Sequence, residues 1–230
     1  MTQTNPRHTG HSRSRLLRLA APSGGAIPDD TLPCFAERLG RLFGLGNTMS
    51  LDAALSFRGG QPTVTQSAVV ERLSRELATT RQALIGRIHG YGDDIEREDP
   101  VAFETYLNSW LTLQRKIAAT TRQLRDKVRK DMKNQGQALA RLAELDSVFD
   151  HTMAGYTSQC FSQISKVLEQ RFQALMTSSG QHREPDTQSG DPLHRYCEEA
   201  QNLLIAELDV RLEPVLGLLE ACYNEVSDSL

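Results

Sequence analysis

Apolar residues recur at intervals of three and four along residues 107–176, and no proline interrupts them. This spacing predicts amphipathic α-helix, because side chains three and four positions apart lie on the same face of a helix. The stretch therefore reads as one or two very long helices, with the apolar seam of a coiled coil or a long-helix bundle. A helix of that length cannot bury its apolar stripe alone, so we expect other helices or a second copy of the chain to pack against it.

Two glycines are candidate interruptions of this long element. Glycine costs about 1 kcal/mol relative to alanine in a helix interior, and the apolar pattern weakens at Gly136 and again at Gly155. Gly136 would divide the stretch into a basic first half and a more apolar second half. The sequence leaves open whether the helix continues through either glycine. We expect the second half to be a surface for self-association.

Further helices are predicted before this stretch. Residues 32–43 show a helical apolar face that ends at glycines. A short helix follows, with Thr48 or Ser50 as its N-cap, because a side-chain oxygen can accept a bond from a free amide at a helix start. Residues 65–91 keep the three–four spacing over a second long helix. Within the N-terminal arm, a few leucines favour one helical turn that docks on the body.

The C-terminal part begins with a polar, turn-rich segment, residues 177–192, which we interpret as a linker loop. Asp191 and Pro192 then mark a helix start, with aspartate as N-cap and proline at the first helical position. An amphipathic helix follows over residues 193–226. Pro214 lies inside it, and proline removes one helical hydrogen bond, so we expect a kink or a break one turn before it.

Together these elements predict an all-α fold, an elongated helical bundle built on long, coiled-coil-like amphipathic helices. Aromatic residues at 6% and only 25 glycines and prolines point away from a strand-and-turn protein. The predicted organisation is a flexible basic arm (1–30), a short-helix N-terminal subdomain (31–62), a long-helix bundle (63–176), a linker loop (177–192) and an acidic C-terminal helix that packs back on the bundle (193–230).

Charge is segregated along the chain, although the net charge is only −3. Residues 113–133 carry eight basic and two acidic side chains, whereas residues 193–230 carry two basic and eight acidic ones. If the two helices lie side by side, their polar flanks attract each other. We favour this internal pairing, or two faces that are simply solvated, as the explanation of the pattern.

The alternative is that the basic face binds an acidic partner or a nucleic acid, because clustered cations attract phosphate groups. The basic arm would add a second contact region. However, no aromatic residue is interleaved with the basic run for stacking on bases. The residues that would form this anionic-partner site are Arg115, Lys116, Arg122, Arg125, Arg129, Lys130 and Lys133.

The sequence carries no recognisable catalytic or metal-binding pattern. His8 and His11 have no third ligand nearby, and His194 with Cys197 supplies only two of the four ligands that a structural zinc site needs. No nucleophile motif and no phosphate-binding glycine loop is present. We therefore expect a protein that is not an enzyme and that uses no cofactor and no metal.

Compartment is indicated by the cysteines and by the length of the apolar runs. The four cysteines are widely scattered, as expected of reduced thiols in a cytosolic protein. No apolar run approaches the roughly 20 residues that a membrane span needs. We expect a cytoplasmic protein without membrane insertion.

Four blocks of the sequence resemble an uncharacterised bacterial family, the domain-of-unknown-function family 3348. They are FAERLGRLFGLGNTMSLDAAL (35–55), RQLRDKVRKDMKNQGQALARLAELDSVFDHTM (122–153), KVLEQRFQAL (166–175) and LLIAELDVRLEPVLGLLEA (203–221). None of these motifs is catalytic, so the resemblance implies no site residues. It implies a bacterial protein that serves as a cytoplasmic adaptor of an envelope machine related to motor-like systems.

Two functional hypotheses follow. The first is a cytoplasmic helical interaction or adaptor protein that self-associates, has an unidentified protein partner and carries out no catalysis. The second is a nucleic-acid-binding protein that uses the basic arm and the basic face of residues 113–133.

Overall fold

The structure is a computed structural model, and it describes residues 15–20, 40–60, 65–93, 95, 102–181 and 191–228. Across these ranges the chain forms α-helices and no β-strand, which confirms the predicted all-α fold. The helices that can be followed from end to end are α1 (Arg15–Ala20), α2 (Leu45–Leu55), α3 (Gln66–His89), α4 (Phe103–Met132), α5 (Gln137–Ser162), α6 (Ile164–Gln181) and α7 (Pro192–Asp228).

Helices α3, α4 and α7 form the centre of the bundle, with α7 packed against both of the others. Their contact faces are apolar side chains at helical spacing, and each such side chain contributes about 1.5–3 kcal/mol when it is fully buried. The most deeply buried are Leu73, Ile88, Trp110, Ile117, Val128, Leu204, Leu208 and Val215. The predicted apolar faces of residues 65–91 and of the C-terminal helix are therefore confirmed as core.

The stretch from residue 107 to 176 is not a single rod. Helix α4 ends at Met132, and the chain reverses at Gly136, whose φ of 108° favours glycine. Arg125 pairs with Asp150, and nearer the turn Arg129 pairs with Asp146. Such pairing of earlier with later residues means that α4 and α5 run antiparallel. The predicted soft point at the first glycine is thus a complete reversal of the chain.

Helix α5 continues through Gly155, the second candidate kink, where the sequence left the continuity of the helix open. That glycine is exposed, and a Cβ there would meet nothing within 4 Å, so its intrinsic cost of about 1 kcal/mol is all that opposes the helix. The helix is interrupted instead at Gln163, whose amide bonds to the carbonyl of Cys160, three residues back. Phe161 and Ile164 are buried on either side of this tighter turn.

Helix α2 begins earlier than the sequence suggested. Gly44 occupies the N-cap position, so the prediction of Thr48 or Ser50 was wrong. Both hydroxyls lie inside the helix, where they donate to the carbonyls four residues back, at Gly44 (3.2 Å) and Gly46 (3.0 Å). Hydroxyls that bond backward in this way compete weakly with helix formation and do not mark its start.

The loop that follows α2 is fastened to the turn between α4 and α5. The amide of Gly60 donates to the carbonyl of Lys133, and the amide of Gly59 donates to Oε1 of Gln137, each at 3.0 Å. A Cβ at Gly59 would lie 2.5 Å from the Cβ of Ala140, so only glycine allows this close approach. The position of α2 along α5 is thereby fixed at one end.

The start of α7 agrees with the sequence. The amide of Leu193 donates to Oδ1 of Asp191 at 3.1 Å, as an N-cap aspartate requires, and Pro192 is the first helical residue. The preceding helix runs to Gln181, so residues 177–181 of the predicted linker are helical. The rest of that linker, residues 182–190, lies outside the described residues.

Of the kink or break expected near Leu212, the break is not found, because α7 continues through Pro214. Leu212 and Val215, on either side of it, are 2% and 0% exposed and hold both halves of the helix in the core. Their burial outweighs the loss of one backbone hydrogen bond.

The predicted docking of an N-terminal turn is confirmed for α1. Leu16 and Leu19 pack against the core, and Arg15 donates to the side chain of Asn202 on α7 at 3.1 Å. The rest of the predicted arm (1–30), namely residues 1–14 and 21–30, lies outside the described residues.

Candidate interaction surfaces

Arg125 and Arg129 form a half-buried ion-pair cluster between α4 and α5. Arg125 donates to Asp146 at 2.5 and 2.8 Å and to Asp150 at 2.7 Å. Arg129 donates to the same two carboxylates at 3.1–3.2 Å and also to Asp126. Burial opposes the charge of Arg129, but its hydrogen bonds to Asp126 and Asp150 outweigh burial and raise its pKa. The guanidinium of Arg129 is therefore held as an ion inside the fold.

Among the described residues the ion-pair partners of the basic run lie on α5, on α3 and, for Asp126, on α4 itself, so the expected pairing with the acidic C-terminal helix is not found there. Lys133 pairs with Glu144 of α5 at 2.5 Å, and Lys127 pairs with Glu76 of α3 at 2.6 Å. Helix α7 does pack against α4, mainly through apolar side chains, with the hydrogen bond between Gln114 and Glu207 as a polar contact. An apolar contact face turns the charged flanks of both helices away from each other.

Four of the seven predicted anion-binding residues stay exposed: Arg115, Lys116, Arg122 and Lys130. Within the described part of the chain, none of them has a hydrogen-bond or ion-pair partner. They lie on the outer side of α4, opposite buried Ile117. We call these four residues the basic stripe. The other three predicted residues are the ion-paired Arg125, Arg129 and Lys133.

The second half of α5 is both uncharged and poorly buried. Residues 151–165 form the longest stretch of the chain without Asp, Glu, Lys or Arg, in a protein that is 24% charged. No residue from 144 to 160 is buried. Phe149 and Tyr156 are each 38% exposed and recur on one side of the helix. This part of α5 presents an apolar side that the described elements leave accessible.

Helix α2 extends the same surface. It lies along the first half of α5, and the rings of Phe43 and Phe149 meet at its N-terminal end with centroids 5.1 Å apart. Its outer side exposes Leu45 (88%) and Met49 (75%), and Asp52 is its single charged residue.

Helix α2 and residues 149–160 of α5 together make what we call the charge-poor face. The centres of protein interfaces are depleted in charged residues and enriched in aromatic residues and methionine. The charge-poor face has this composition. The sequence pointed to its α5 part but not to α2, because apolar and polar residues are not segregated to opposite sides of that helix.

Glu207 is a buried carboxylate, 0% exposed, that sequence reasoning missed as a site residue. It accepts from Gln114 of α4 at 2.8 Å and pairs with Arg211 at 2.7 Å. The guanidinium of Arg211 also lies 3.9 Å above the ring of Phe161 at the end of α5. Burial raises the pKa of Glu207, and Arg211 and Gln114 oppose that shift. The signal in the sequence was an i,i+4 Glu–Arg pair within an apolar helix face.

The candidate metal ligands His194 and Cys197 do not point to a common site. The side chain of His194 is 71% exposed and lies 3.4 Å from Glu198, whereas Cys197 is buried beneath Gly92. A Cβ on that glycine would lie 2.7 Å from the cysteine sulfur, so the sulfur serves in packing. In the described ranges no three histidine, cysteine or acidic side chains come together to hold a metal ion.

A cavity of about 420 Å³ lies between the end of α3 and the start of α7, beside these residues. Gln201 crosses its wall and donates to the carbonyls of His89 (3.1 Å) and Tyr91 (3.0 Å). The polar groups of this wall thus fasten α3 to α7. The other weighed pair, His8 and His11, lies outside the described residues.

The fold and its surfaces define an all-α helical bundle with an exposed apolar face. A family model described as a protein of unknown function, DUF3348, matches residues 1–224, and the chain belongs to that family. This confirms the resemblance seen in the sequence. No curated protein and no solved structure matches the chain. Of the helices that the structure describes, none has the length and apolar character to cross a membrane.

Reversing the charge of Arg125 will destabilise the protein much more than reversing that of Arg122. Arg125→Glu places a carboxylate against Asp146 and Asp150 at a site where side chains are 14–28% exposed, and we expect it to lower the free energy of unfolding by about 3–5 kcal/mol. Arg122→Glu lies on the exposed stripe and should change it by less than about 0.5 kcal/mol. Urea unfolding of both variants measures the difference, and equal losses would contradict the assigned pairing.

Arg211→Met should destabilise the fold in a pH-dependent way. Loss of the partner leaves Glu207 buried and unpaired, at a cost of about 3–5 kcal/mol near pH 7. The pKa of Glu207 in the folded state then rises further above its value in the unfolded state. Between these two pKa values the folded state binds more protons than the unfolded state. The loss relative to wild type will therefore shrink as pH falls towards 5. The control is Arg195→Met, which removes an exposed i,i+4 pair with Glu199 on the same helix and should show neither effect.

Proposed function

We propose that the protein is a helical interaction protein that does not act as an enzyme, and that it self-associates through the charge-poor face. The observation that carries this proposal is the exposure of Leu45, Met49, Phe149 and Tyr156 on a surface almost without charge. Large apolar side chains on an exposed surface gain free energy when a partner covers them.

A second copy of the chain suits this surface. In a two-fold symmetric contact the same patch meets itself, so like charges oppose one another near the axis. The face carries two acidic residues, Asp52 and Asp150, of which Asp150 is paired with Arg125, and it carries no lysine or arginine, so this repulsion is small. Burial of the four large side chains would contribute roughly 6–10 kcal/mol. Association itself costs on the order of 4–15 kcal/mol, so we expect a reversible dimer rather than a permanent one.

The buried charges support a role without catalysis. Arg129 and Glu207 are the buried charged residues of the described chain. Each has its hydrogen-bonding capacity engaged by neighbours that join two helices. Burial opposes the charge of Arg129 but its structural hydrogen bonds and ion pairs raise its pKa, and burial raises the pKa of Glu207 against the effect of Arg211 and Gln114, so neither shift requires a catalytic role.

We further propose that the dimer acts in the bacterial cytoplasm as an adaptor, with a protein of an envelope system as its partner. The support for this part is the family resemblance. Crosslinking in the native host followed by mass spectrometry identifies the partner.

A second candidate function is nucleic-acid binding through the basic stripe. It is favoured by the four exposed cations that lack partners among the described residues. The stripe is shorter than the sequence suggested, because Arg125, Arg129 and Lys133 are engaged in ion pairs.

Substitution of the charge-poor face by lysine should abolish self-association. Met49→Lys with Tyr156→Lys places like charges in the contact, and light scattering after size-exclusion chromatography at high salt should give a mass near 25.6 kDa. The matched control, Gln170→Lys with Gln173→Lys on the exposed side of α6, should associate as wild type does. A wild-type protein that stays monomeric at all concentrations would refute the proposal.

The nucleic-acid candidate predicts steeply salt-dependent retardation of duplex or single-stranded nucleic acid. With four phosphate contacts, a fourfold rise in salt should weaken binding by roughly 150-fold. Arg115→Glu with Arg122→Glu should remove this binding, whereas the charge-matched control Arg141→Glu with Lys166→Glu should keep it. Absence of retardation by wild type at low salt would eliminate the candidate.

A further inference from the structure

A second exposed stripe, opposite in charge to the first, lies on α7. Glu213 and Glu220 are exposed one heptad apart, and neither has an ion-pair partner within the described residues. Leu216 and Tyr223 lie on the same side of the helix and are 52% and 63% exposed. We call these four residues the acidic stripe. It places large apolar side chains beside charged ones, as at the border between the apolar centre and the polar rim of an interface.

The two stripes cannot meet within one molecule. Helices α4 and α7 pack on each other, and Ile117 and Val215 are among the side chains buried in the core between them. The basic and acidic stripes are on the sides of these helices that face away from the core. Helix α1 approaches α7 at Asn202 and Asp209, before the acidic stripe begins. The described elements therefore leave both stripes exposed.

The stripes match in spacing as well as in charge. Arg115 and Arg122 are seven residues apart on α4, as Glu213 and Glu220 are on α7. At a rise of about 1.5 Å per residue, both pairs span roughly 10.5 Å. A parallel or antiparallel alignment of the two helices therefore brings both arginines opposite both glutamates. Ala119 lies between the two arginines, which leaves room there for a large side chain of the partner helix.

We propose that the acidic stripe of one copy docks on the basic stripe of the next copy. This contact uses surfaces other than the charge-poor face, so it goes beyond the proposed dimer and does not require it. Because different patches meet, each copy keeps one stripe of each kind free, and such head-to-tail contacts continue into a ring or an open filament. The contact depends on exposed charges and is therefore sensitive to salt.

The test uses two charge-reversed variants of the full chain, Arg115→Glu with Arg122→Glu and Glu213→Lys with Glu220→Lys. Each variant alone carries two stripes of like charge and should fail to assemble. Mixed in equal amounts, the acidic α4 of the first faces the basic α7 of the second, so assembly should return. Sedimentation velocity at low and high salt measures this, and we expect salt to weaken wild-type assembly by roughly tenfold or more.

The matched control is Arg141→Glu with Lys166→Glu, which makes the same change of net charge elsewhere on the surface and should assemble normally. Introduction of Met49→Lys and Tyr156→Lys into wild type separates the two proposals. Loss of the salt-insensitive dimer with retention of salt-sensitive assembly supports both contacts. If those lysines change nothing but the mixture still assembles, only the charge-poor dimer fails.

A mixture that keeps the mass of its separate components would overturn the head-to-tail contact. Wild-type mass that does not change with salt would overturn it as well. So would a wild type that assembles only when nucleic acid is added, because the basic stripe would then serve that ligand.

Discussion

Burial of α7 between α3 and α4 determines how the other parts of this molecule are used. The contact is mainly apolar from Leu204 through Val215, with the hydrogen bond between Gln114 and Glu207 as a polar contact within it. The charged flanks of α4 are consequently directed towards α3 and α5 or outwards. Lys127, Arg125 and Arg129 reach acids on those neighbours, and the basic stripe remains on the outside. The distribution of charge over the surface thus follows from hydrophobic packing.

The buried ion pairs restrict how the helices can be aligned along one another. An ion pair in a core seldom adds net stability, because the desolvation of both partners offsets their attraction, but a missing partner is costly. Glu207 accepts from Gln114 and Arg211, and Arg211 in turn lies over Phe161. These contacts are satisfied only when α7, α4 and the end of α5 stand in one register. The helices of a long bundle can slide along apolar seams, and this cluster opposes such sliding.

The sequence was sufficient to predict the core where apolar residues recur at helical spacing and all of them are buried. Leu73, Leu77 and Ile88 lie in the core as their spacing predicted. It failed where local cost and tertiary gain compete. Pro214 is tolerated because its neighbours are buried, and Gly155 is tolerated because nothing else opposes the helix there. The ion-pair partners of the basic residues on α4 also could not be predicted from the sequence. Composition shows that basic and acidic segments exist, but it does not show which sides of the helices meet. The face of α2 was hidden for a related reason, since its exposed apolar residues appear only once α5 has taken the other side.

The charge-poor face and the two charged stripes differ in the forces that would drive association. The charge-poor face offers apolar area, whose free energy changes little with ionic strength, whereas the stripes offer charge, which salt screens over about 8 Å at physiological concentration. Contacts of the first kind between like faces close into dimers, and contacts of the second kind between unlike faces do not close by themselves. Under the two proposals, a chain that carries both would form a reversible dimer and would join such dimers through a separate, salt-dependent contact. The two kinds of surface lie on different helices, the charge-poor face on α2 and α5 and the stripes on α4 and α7. Helix α7, with 37 residues, is about 55 Å long.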